Sequence, residues 1–456
     1  MSASHFKAKL AGRTGLVLIG LGQLIAYAGL AWTARTAGSL REPVIGQTVV
    51  WYLLATFSFL LALHWAEKQR HFPVRWLWGG AILFRLLLLT TTPTLSDDVY
   101  RYLWDGHLVT AGISPYQYRI DAPELDELAI PARTLANNRW MASPYLPAAH
   151  WLFAAIVWLL PAKPFSAQLI LILIDLGVAL IFGQLLRVWG QPPHRLLWYL
   201  WHPLLIIEIA HGAHLDIWMT GLALLALLIA FRPVSPQPAR LLSPLFLALA
   251  TLTKILPLFL LPVIFWRWRW RERLLYGAVV AGVLWLAAQP AGWGLSGPLD
   301  GTGLFGALRI YAAQWQFNGG LFALLAATLG ETVARQLGLV MPVALAGFVW
   351  WWSRKQPLTG QLSLLPVPLL GYLICSATVA PWYLILLAPF AATPQAALPD
   401  RLMRAALLYL SLTVFLSYLI YAGPAGSQLY AIVRLGEWVP TLLLALLSLA
   451  TALRQP

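Results

Sequence analysis

Ser96, Asp97 and Asp98 open the run SDDVYRYLWDGHLVTAGISPY, residues 96–116. Acids in a first helical turn suit the macrodipole, and a serine before them is a good N-cap. A carboxylate there can also take the proton from an attacking hydroxyl. At helical spacing Asp98, Arg101, Tyr102 and Asp105 share one face, while Tyr100, Leu103, Trp104 and Leu108 cover the other. This pattern predicts an amphipathic helix lying on a membrane surface, ended by Gly112 and Pro115, with its carboxylates near headgroup depth.

Lys254 is the second chemical signal. It stands inside the 26-residue apolar run Leu241–Trp266, where an ammonium is costly without a partner. It can bind a phosphate arriving at that depth or snorkel to an interface. Arg139, in NNRWMASPY, is a second cation, read either as a phosphate ligand or as a solvated loop residue. His211, His214 and Asp216 form His-x-x-His-x-Asp, which could take a divalent metal, the one cofactor considered. Substrate positioning by His214 and Asp216 is the expectation instead. Trp382 and Tyr383 begin an apolar run, where an interfacial belt and sugar stacking both explain them. Asp175, Glu208 and Arg85 lie at membrane depth and are expected to pair structurally.

The elements that must position these residues are membrane helices. Of the 456 residues, 60% are hydrophobic and 11% charged, with mean hydropathy +0.71; a soluble domain needs about a quarter charged residues. Apolar runs near the roughly 20 residues that span a bilayer recur from end to end, so residues 1–456 read as one membrane domain. The net charge of +14 falls in short clusters between apolar runs: Lys7, Lys9 and Arg13; Lys68, Arg70 and Arg75; Arg267, Arg269, Arg271 and Arg273; Arg354 and Lys355. That is the positive-inside pattern, reinforced by anionic headgroups, and it argues against nucleic acid. Several of the 24 Trp, such as Trp266, Trp268 and Trp270, suit interfacial anchoring. The single cysteine, Cys375, allows no internal disulfide.

Basic clusters inside give the topology. Helices over 15–34, 47–64 and 76–92 bring the chain out, the first uncleaved, and an external loop runs over about 93–147. The loop holds Asp97, Asp98, Asp105, Asp121, Glu124, Asp126 and Glu127. The short 148–160 run returns to the face it left, and 165–186 runs inward. The 196–211 run goes outward, presenting His211, His214 and Asp216. After 217–231 comes an internal Arg232–Arg240 segment. Basic clusters at both ends of 241–266 predict two half-helices meeting near Lys254 and Pro257, a break tolerated where it lines a cavity. Further spans are predicted over 274–289, 336–353, 362–377, 381–396, 405–421 and 438–453. The expected fold is all-α and polytopic, with about 12 transmembrane helices plus re-entrant and juxtamembrane pieces, and both termini inside.

The ordered series DDVYRYLWDG with GISPY, SPYLP at 143–147, HGAHLD at 211–216, LTKILP at 252–257 and PWY at 381–383 resembles the C-type glycosyltransferases. Within them it is most similar to bacterial polyprenyl-phosphate-mannose α-mannosyltransferases. The resemblance follows the chain from about 90 to 390, and the first two helices look additional. It implies a general base in the first external loop at an Asp-aliphatic-Tyr motif, matched by Asp98-Val99-Tyr100, with Asp97 the alternate. It implies substrate contacts among Arg101, Tyr102, Asp105, Arg139, Tyr145, His211, His214, Asp216, Lys254, Trp382 and Tyr383. Relatives often read Gly-His-Asn-Asp here, and this chain departs from that form with Leu215 before Asp216.

The implied reaction is an inverting transfer of a hexose, with mannose expected, from a polyprenyl-phosphate carrier to an envelope glycolipid or glycan. The implied place is the outer face of a bacterial cytoplasmic membrane. A lipid-phosphate leaving group needs positive charge or donors rather than a general acid, so the twin carboxylates of a glycosidase are not required. Two rival classes remain. A lipid-linked sugar flippase or transporter would often show inverted repeats, and none is seen. An O-antigen-type ligase or polymerase would centre on arginines in a late external loop, where the 290–334 stretch offers only Arg309.

Overall fold

The computed structural model describes residues 3–69, 72–232, 240–289, 301–393 and 398–453. Arg70, most of the 232–240 segment, the start of the 290–334 stretch and the end of the 381–396 run lie outside them. Apart from isolated bridges of Phe317 and Asn318 to Thr378, the described residues contain no strand. The chain forms two compact units: residues 1–95, 179–212 and 380–456, and residues 96–178 and 213–379.

Seven helical stretches are long and apolar enough to cross a membrane, by length and composition: Thr14–Ala37, Ile45–Glu67, Pro164–Val188, Glu331–Ser353, Leu358–Cys375, Leu398–Tyr421 and Gly423–Ala452. Exposed leucine, isoleucine and valine side chains stud them, including Leu18 and Ile25 in the first, Leu339 and Val340 in the fourth and Ile432 and Leu435 in the last. Such rows suit a hydrocarbon solvent and would be a liability in water. Seven is fewer than the expected twelve because several apolar runs are short or broken. Val74–Leu89 has 16 residues and Pro147–Leu159 has 13, below the length that spans a bilayer untilted. The predicted 196–211 span is a chain of short pieces, Pro193–Leu196, Leu197–Leu200, Pro203–Ile206 and Ile207–His211. Pro203 removes a backbone donor from that run and interrupts the helix. The 381–396 run is likewise three short turns between Pro381 and Ala392. The 290–334 stretch, expected as loop, holds helices Gly306–Gln314 and Leu321–Leu329.

In the first unit, Ala3–Ala37 packs on Ile45–Glu67 and Val74–Leu89. Trp201 is their shared plug: its indole donates to Leu77 O at 2.9 Å, and Gln23 donates to Trp201 O at 2.9 Å. Tyr52 stacks on Phe415 at 3.9 Å and donates to Leu412 O at 2.8 Å. In the second unit, Pro147–Leu159 packs against Asp98–Thr110, Leu242–Thr253 and Trp270–Ala288. Its contact with the Asp98–Thr110 helix is backbone-close at Gly106, where a Cβ would strike the Phe153 carbonyl. Asp216–Phe231 packs on Leu242–Thr253. The latter ends where predicted: Lys254 is extended (φ −159°, ψ 146°), and short turns follow over Leu256–Arg267.

Candidate functional site

The helix expected in the 93–147 loop begins at Asp98 and runs to Thr110, and Gly112 follows with φ +77°. Ser96 Oγ accepts the Asp98 N–H at 3.2 Å, the kind of end-satisfaction that its hydroxyl suggests. The predicted surface helix, however, is not half in water. Arg101, Tyr102 and Asp105 are each 1% exposed, as buried as Leu103 and Trp104 on the opposite face. The chain that follows folds back over the polar face and takes its hydrogen bonds.

Arg101 clamps that returning chain, donating to Asn137 O and Asn138 O at 3.2 Å each and to Ala142 O at 2.7 Å. Asp105 accepts the Ser143 hydroxyl at 2.6 Å, and Ser143 Oγ also lies 2.8 Å from His150 Nε2. Tyr116 donates to Tyr145 O at 2.9 Å. Tyr102 stacks on Phe153 at 4.6 Å, with Tyr145 edge-on at 5.3 Å. Farther out, buried Arg133 gathers the carbonyls of Ile120, Ala122 and Leu125 and pairs with Asp126 at 2.8 Å. Arg101, Asp105 and Asp126 are therefore committed to holding the loop. Sequence reasoning missed their partners Ser143, His150 and Arg133.

Asp98 has a different fate. It is half-buried, and Asn137 donates to its Oδ1 at 3.0 Å. The neighbouring Asn138 adopts φ +48°, a conformation asparagine tolerates better than most residues, and this fixes the turn that delivers Asn137. No motif marks Asn137 as a partner of Asp98. The positive charges of Lys254 and Arg101 reach Asp98 as well. Burial nevertheless outweighs the Asn137 hydrogen bond and both cations, and it holds the carboxyl above its ordinary range, with Asp97 adding to the push. A carboxylate so tuned is a better proton acceptor than a solvated one.

Lys254, at the broken end of its helix, donates to Asp216 Oδ1 at 2.8 Å, and Asp216 is fully buried. Asp216 opens the Asp216–Phe231 helix. Ahead of it Ala213 holds φ +54°, an uncommon conformation for alanine, in the turn that carries His214. The second unit thus collects two carboxylates and one ammonium from three separate elements, with Asp98 and Asp216 each within the other's field.

The remaining candidates stand elsewhere. Arg139 is exposed, and its carbonyl accepts the Asp121 N–H at 3.0 Å. His211 belongs to the first unit, buried against the Thr91 hydroxyl at 2.8 Å and Thr94 at 3.3 Å. Trp382 and Tyr383 also lie in the first unit, in the Pro381–Tyr383 turn. Of the residues expected to pair, Arg85 donates to Ala81 O and Leu200 O at 3.0 Å each, and Glu208 accepts from Tyr418 at 3.1 Å. No group of three or more His, Cys, Asp or Glu among the described residues is arranged to hold a metal ion.

Residues 9–270 match the family described as alpha-(1->6)-mannopyranosyltransferase, N-terminal domain. That span contains Asp98, Asn137, Asp216 and Lys254. A Mycolicibacterium smegmatis protein named "Probable alpha-(1->6)-mannopyranosyltransferase" is 28% identical over 257 residues, 51% of this chain and 45% of that protein. A Mycobacterium tuberculosis alpha-(1->6)-mannopyranosyltransferase is 28% identical over 254 residues, 51% of this chain and 42% of that protein. The match thus spans less than half the length of either relative. Among solved structures, ArnT from Cupriavidus metallidurans bound to undecaprenyl phosphate aligns with 83% of this chain and 77% of its own, at 18% identity and TM-score 0.39.

Proposed function

The chain belongs to the alpha-(1->6)-mannopyranosyltransferase family whose N-terminal domain it matches, and from that premise we propose that it is a membrane mannosyltransferase using a polyprenyl-phosphate mannose donor. The acceptor is a glycolipid or glycan of the cell envelope, and the reaction takes place on the outer face of a bacterial cytoplasmic membrane, with both termini inside.

In this reading Asp98 is the general base. The acceptor oxygen attacks the anomeric carbon as its proton passes to the Asp98 carboxylate. The bond from that carbon to the phosphate oxygen breaks, and the polyprenyl phosphate leaves with the electron pair. Attack opposite the leaving group inverts the centre, so a β-linked donor yields an α-linkage. Lys254 faces the phosphate. An ammonium has three donors, and the bond to Asp216 fixes where the group points. Positive charge held in place before reaction stabilises developing negative charge without reorganisation. Asn137 orients Asp98, while Arg101 and Asp105 hold the loop that carries Asn137 and Tyr145.

The observation that carries the proposal is the Lys254–Asp216 ion pair, with Asp98 from a third part of the chain in the field of Lys254. The test is purified protein in nanodiscs, given radiolabelled polyprenyl-phosphate mannose, glucose or arabinose and a pool of envelope glycolipids. Label should move from the mannose carrier to an acceptor. Folded protein that moves label from none of the three would refute the proposal and favour a lipid-linked sugar transporter.

A further inference from the structure

The Asp216–Phe231 and Leu242–Thr253 helices run antiparallel, since Lys254 meets Asp216 at one end and Ser243 donates to Ala226 O at 2.9 Å toward the other. At 1.5 Å per residue the 16-residue partner is about 24 Å long, approaching the roughly 30 Å of a bilayer's hydrocarbon. The end away from Asp216 is built very differently. It encloses a cavity of about 100 Å³ lined by Arg232, Arg240, Ser243, Arg267 and Trp268. That is the share of about three waters, enough for one tetrahedral oxyanion.

The cavity floor is already satisfied. Trp268 is buried and its indole donates to Ser243 Oγ at 2.9 Å, and that hydroxyl donates onward to Ala226 O. The arginines are held in place, and among the described residues one carboxylate pairs with them. Arg240 Nε lies 3.2 Å from Glu272, and its guanidinium donates to Arg267 O at 3.2 Å. Arg267 Nε donates to Ala230 O at 3.4 Å, and its guanidinium lies 5.2 Å over the Phe231 ring. Arg232 is exposed and has no ion pair with any described residue. Among the described residues, three guanidinium groups thus share one carboxylate around a polar hollow. Arginines that only obey the positive-inside rule need to face headgroups; they need not be fixed by backbone carbonyls around a common cavity. Exposed Trp270 and half-buried Trp266 flank this end at the level expected of an interface.

We propose that this arginine cavity binds the phosphate of an anionic lipid headgroup, at the end of the helix pair opposite Asp216 and Lys254. Planar guanidinium forks are suited to phosphate oxygens, and an apolar helix pair that ends in the cavity places it where headgroups lie. The site uses none of the residues assigned to sugar transfer, so it stands or falls independently of that reading.

The test follows thermal unfolding of the full chain in a neutral detergent while short-chain phosphatidylglycerol, short-chain phosphatidylcholine or inorganic phosphate is added. Phosphatidylglycerol should stabilise the protein saturably and at lower concentration than phosphatidylcholine. Arg232→Glu should raise the phosphatidylglycerol concentration at half-effect by about tenfold or more, and Arg232→Gln by less, with transfer activity unchanged in both. Should Arg232→Glu not fold, Arg232→Gln carries the same comparison. Inorganic phosphate that saturates the signal and blocks the lipid would overturn the lipid source in favour of a soluble phosphate compound. Equal lipid binding by wild type and both variants would overturn the site altogether.

Discussion

The two units share one way of holding buried polar side chains, seen in the second at Arg101, Asp105 and Arg133, and the second also pairs charge with charge at Lys254. In the first, the fully buried Arg85, His202, His211 and Glu208 are met by backbone carbonyls and hydroxyls: Arg85 by Ala81 and Leu200, His202 by Ser411 at 3.0 Å, His211 by Thr91, and Glu208 by Tyr418. In the second, Lys254 meets a carboxylate directly, and Asp98 lies in the field of two cations. Groups tied to neutral partners at helix depth hold helices together. In the proposed mechanism the charges that face charges, at helix ends where the chain breaks, are the ones that meet the charged substrate. A buried ionisable residue is thus a weak functional signal alone, and its partner decides which kind it is.

This contrast can be tested by breaking one partnership at a time. Lys254→Ala should have the largest effect: transfer should fall about 100-fold through lost charge stabilisation, and stability should drop by about 3 kcal/mol as Asp216 is left buried and unpaired. Adding Asp216→Asn should restore most of the thermal stability but not the rate, separating the two losses. Tyr418→Phe, in the other unit, should do the reverse. Removing a hydrogen bond to a buried carboxylate costs about 1–3 kcal/mol, read as a lower midpoint in thermal unfolding, with transfer by the folded protein unchanged.

Asn137→Ala should act more gently and in a direction fixed by charge. Its amide favours ionised Asp98, so its loss raises a carboxyl already lifted by burial. A base works when deprotonated, so activity is lost as pH falls through that pKa. The acid limb of kcat/KM should lie above the ordinary carboxylate range in the wild type and move higher still in Asn137→Ala. A limb that moves down, or stays put, would remove Asn137 from the base's environment. Arg139→Ala should have the smallest effect, within about twofold in rate, as expected of an exposed loop side chain.

Much of this division was legible in part. Composition and charge clusters fix the membrane class, and the SDDVYRYLWDG run marks its helix within a residue or two. The basic clusters on both sides of 241–266 locate the break at Lys254. What the pattern could not show is pairing across the chain. His211, His214 and Asp216 look like one polar cluster because they are close in sequence, yet the partners seen for His211 are Thr91 and Thr94 and the partner seen for Asp216 is Lys254. Arg101 and Asp105 look like substrate ligands because they share a face with Asp98. They are instead taken up by carbonyls and a serine tens of residues away, and neither Asn137 nor Ser143 bears a motif. Fewer long helices than the expected spans appear among the described residues for a local reason: prolines at 203 and 381 interrupt or open apolar runs whose hydropathy alone reads as continuous.

The most direct measurement is single-turnover transfer from polyprenyl-phosphate mannose by Asp98→Asn, with donor binding measured on the same preparation. An amide keeps the shape and the place beside Asn137 but cannot accept the proton. Donor binding should remain within a few-fold of wild type, while the transfer rate falls by about 10²–10⁴-fold, the usual worth of a positioned base. A rate near that of wild type, with donor bound, would contradict the account and move the proton to another group.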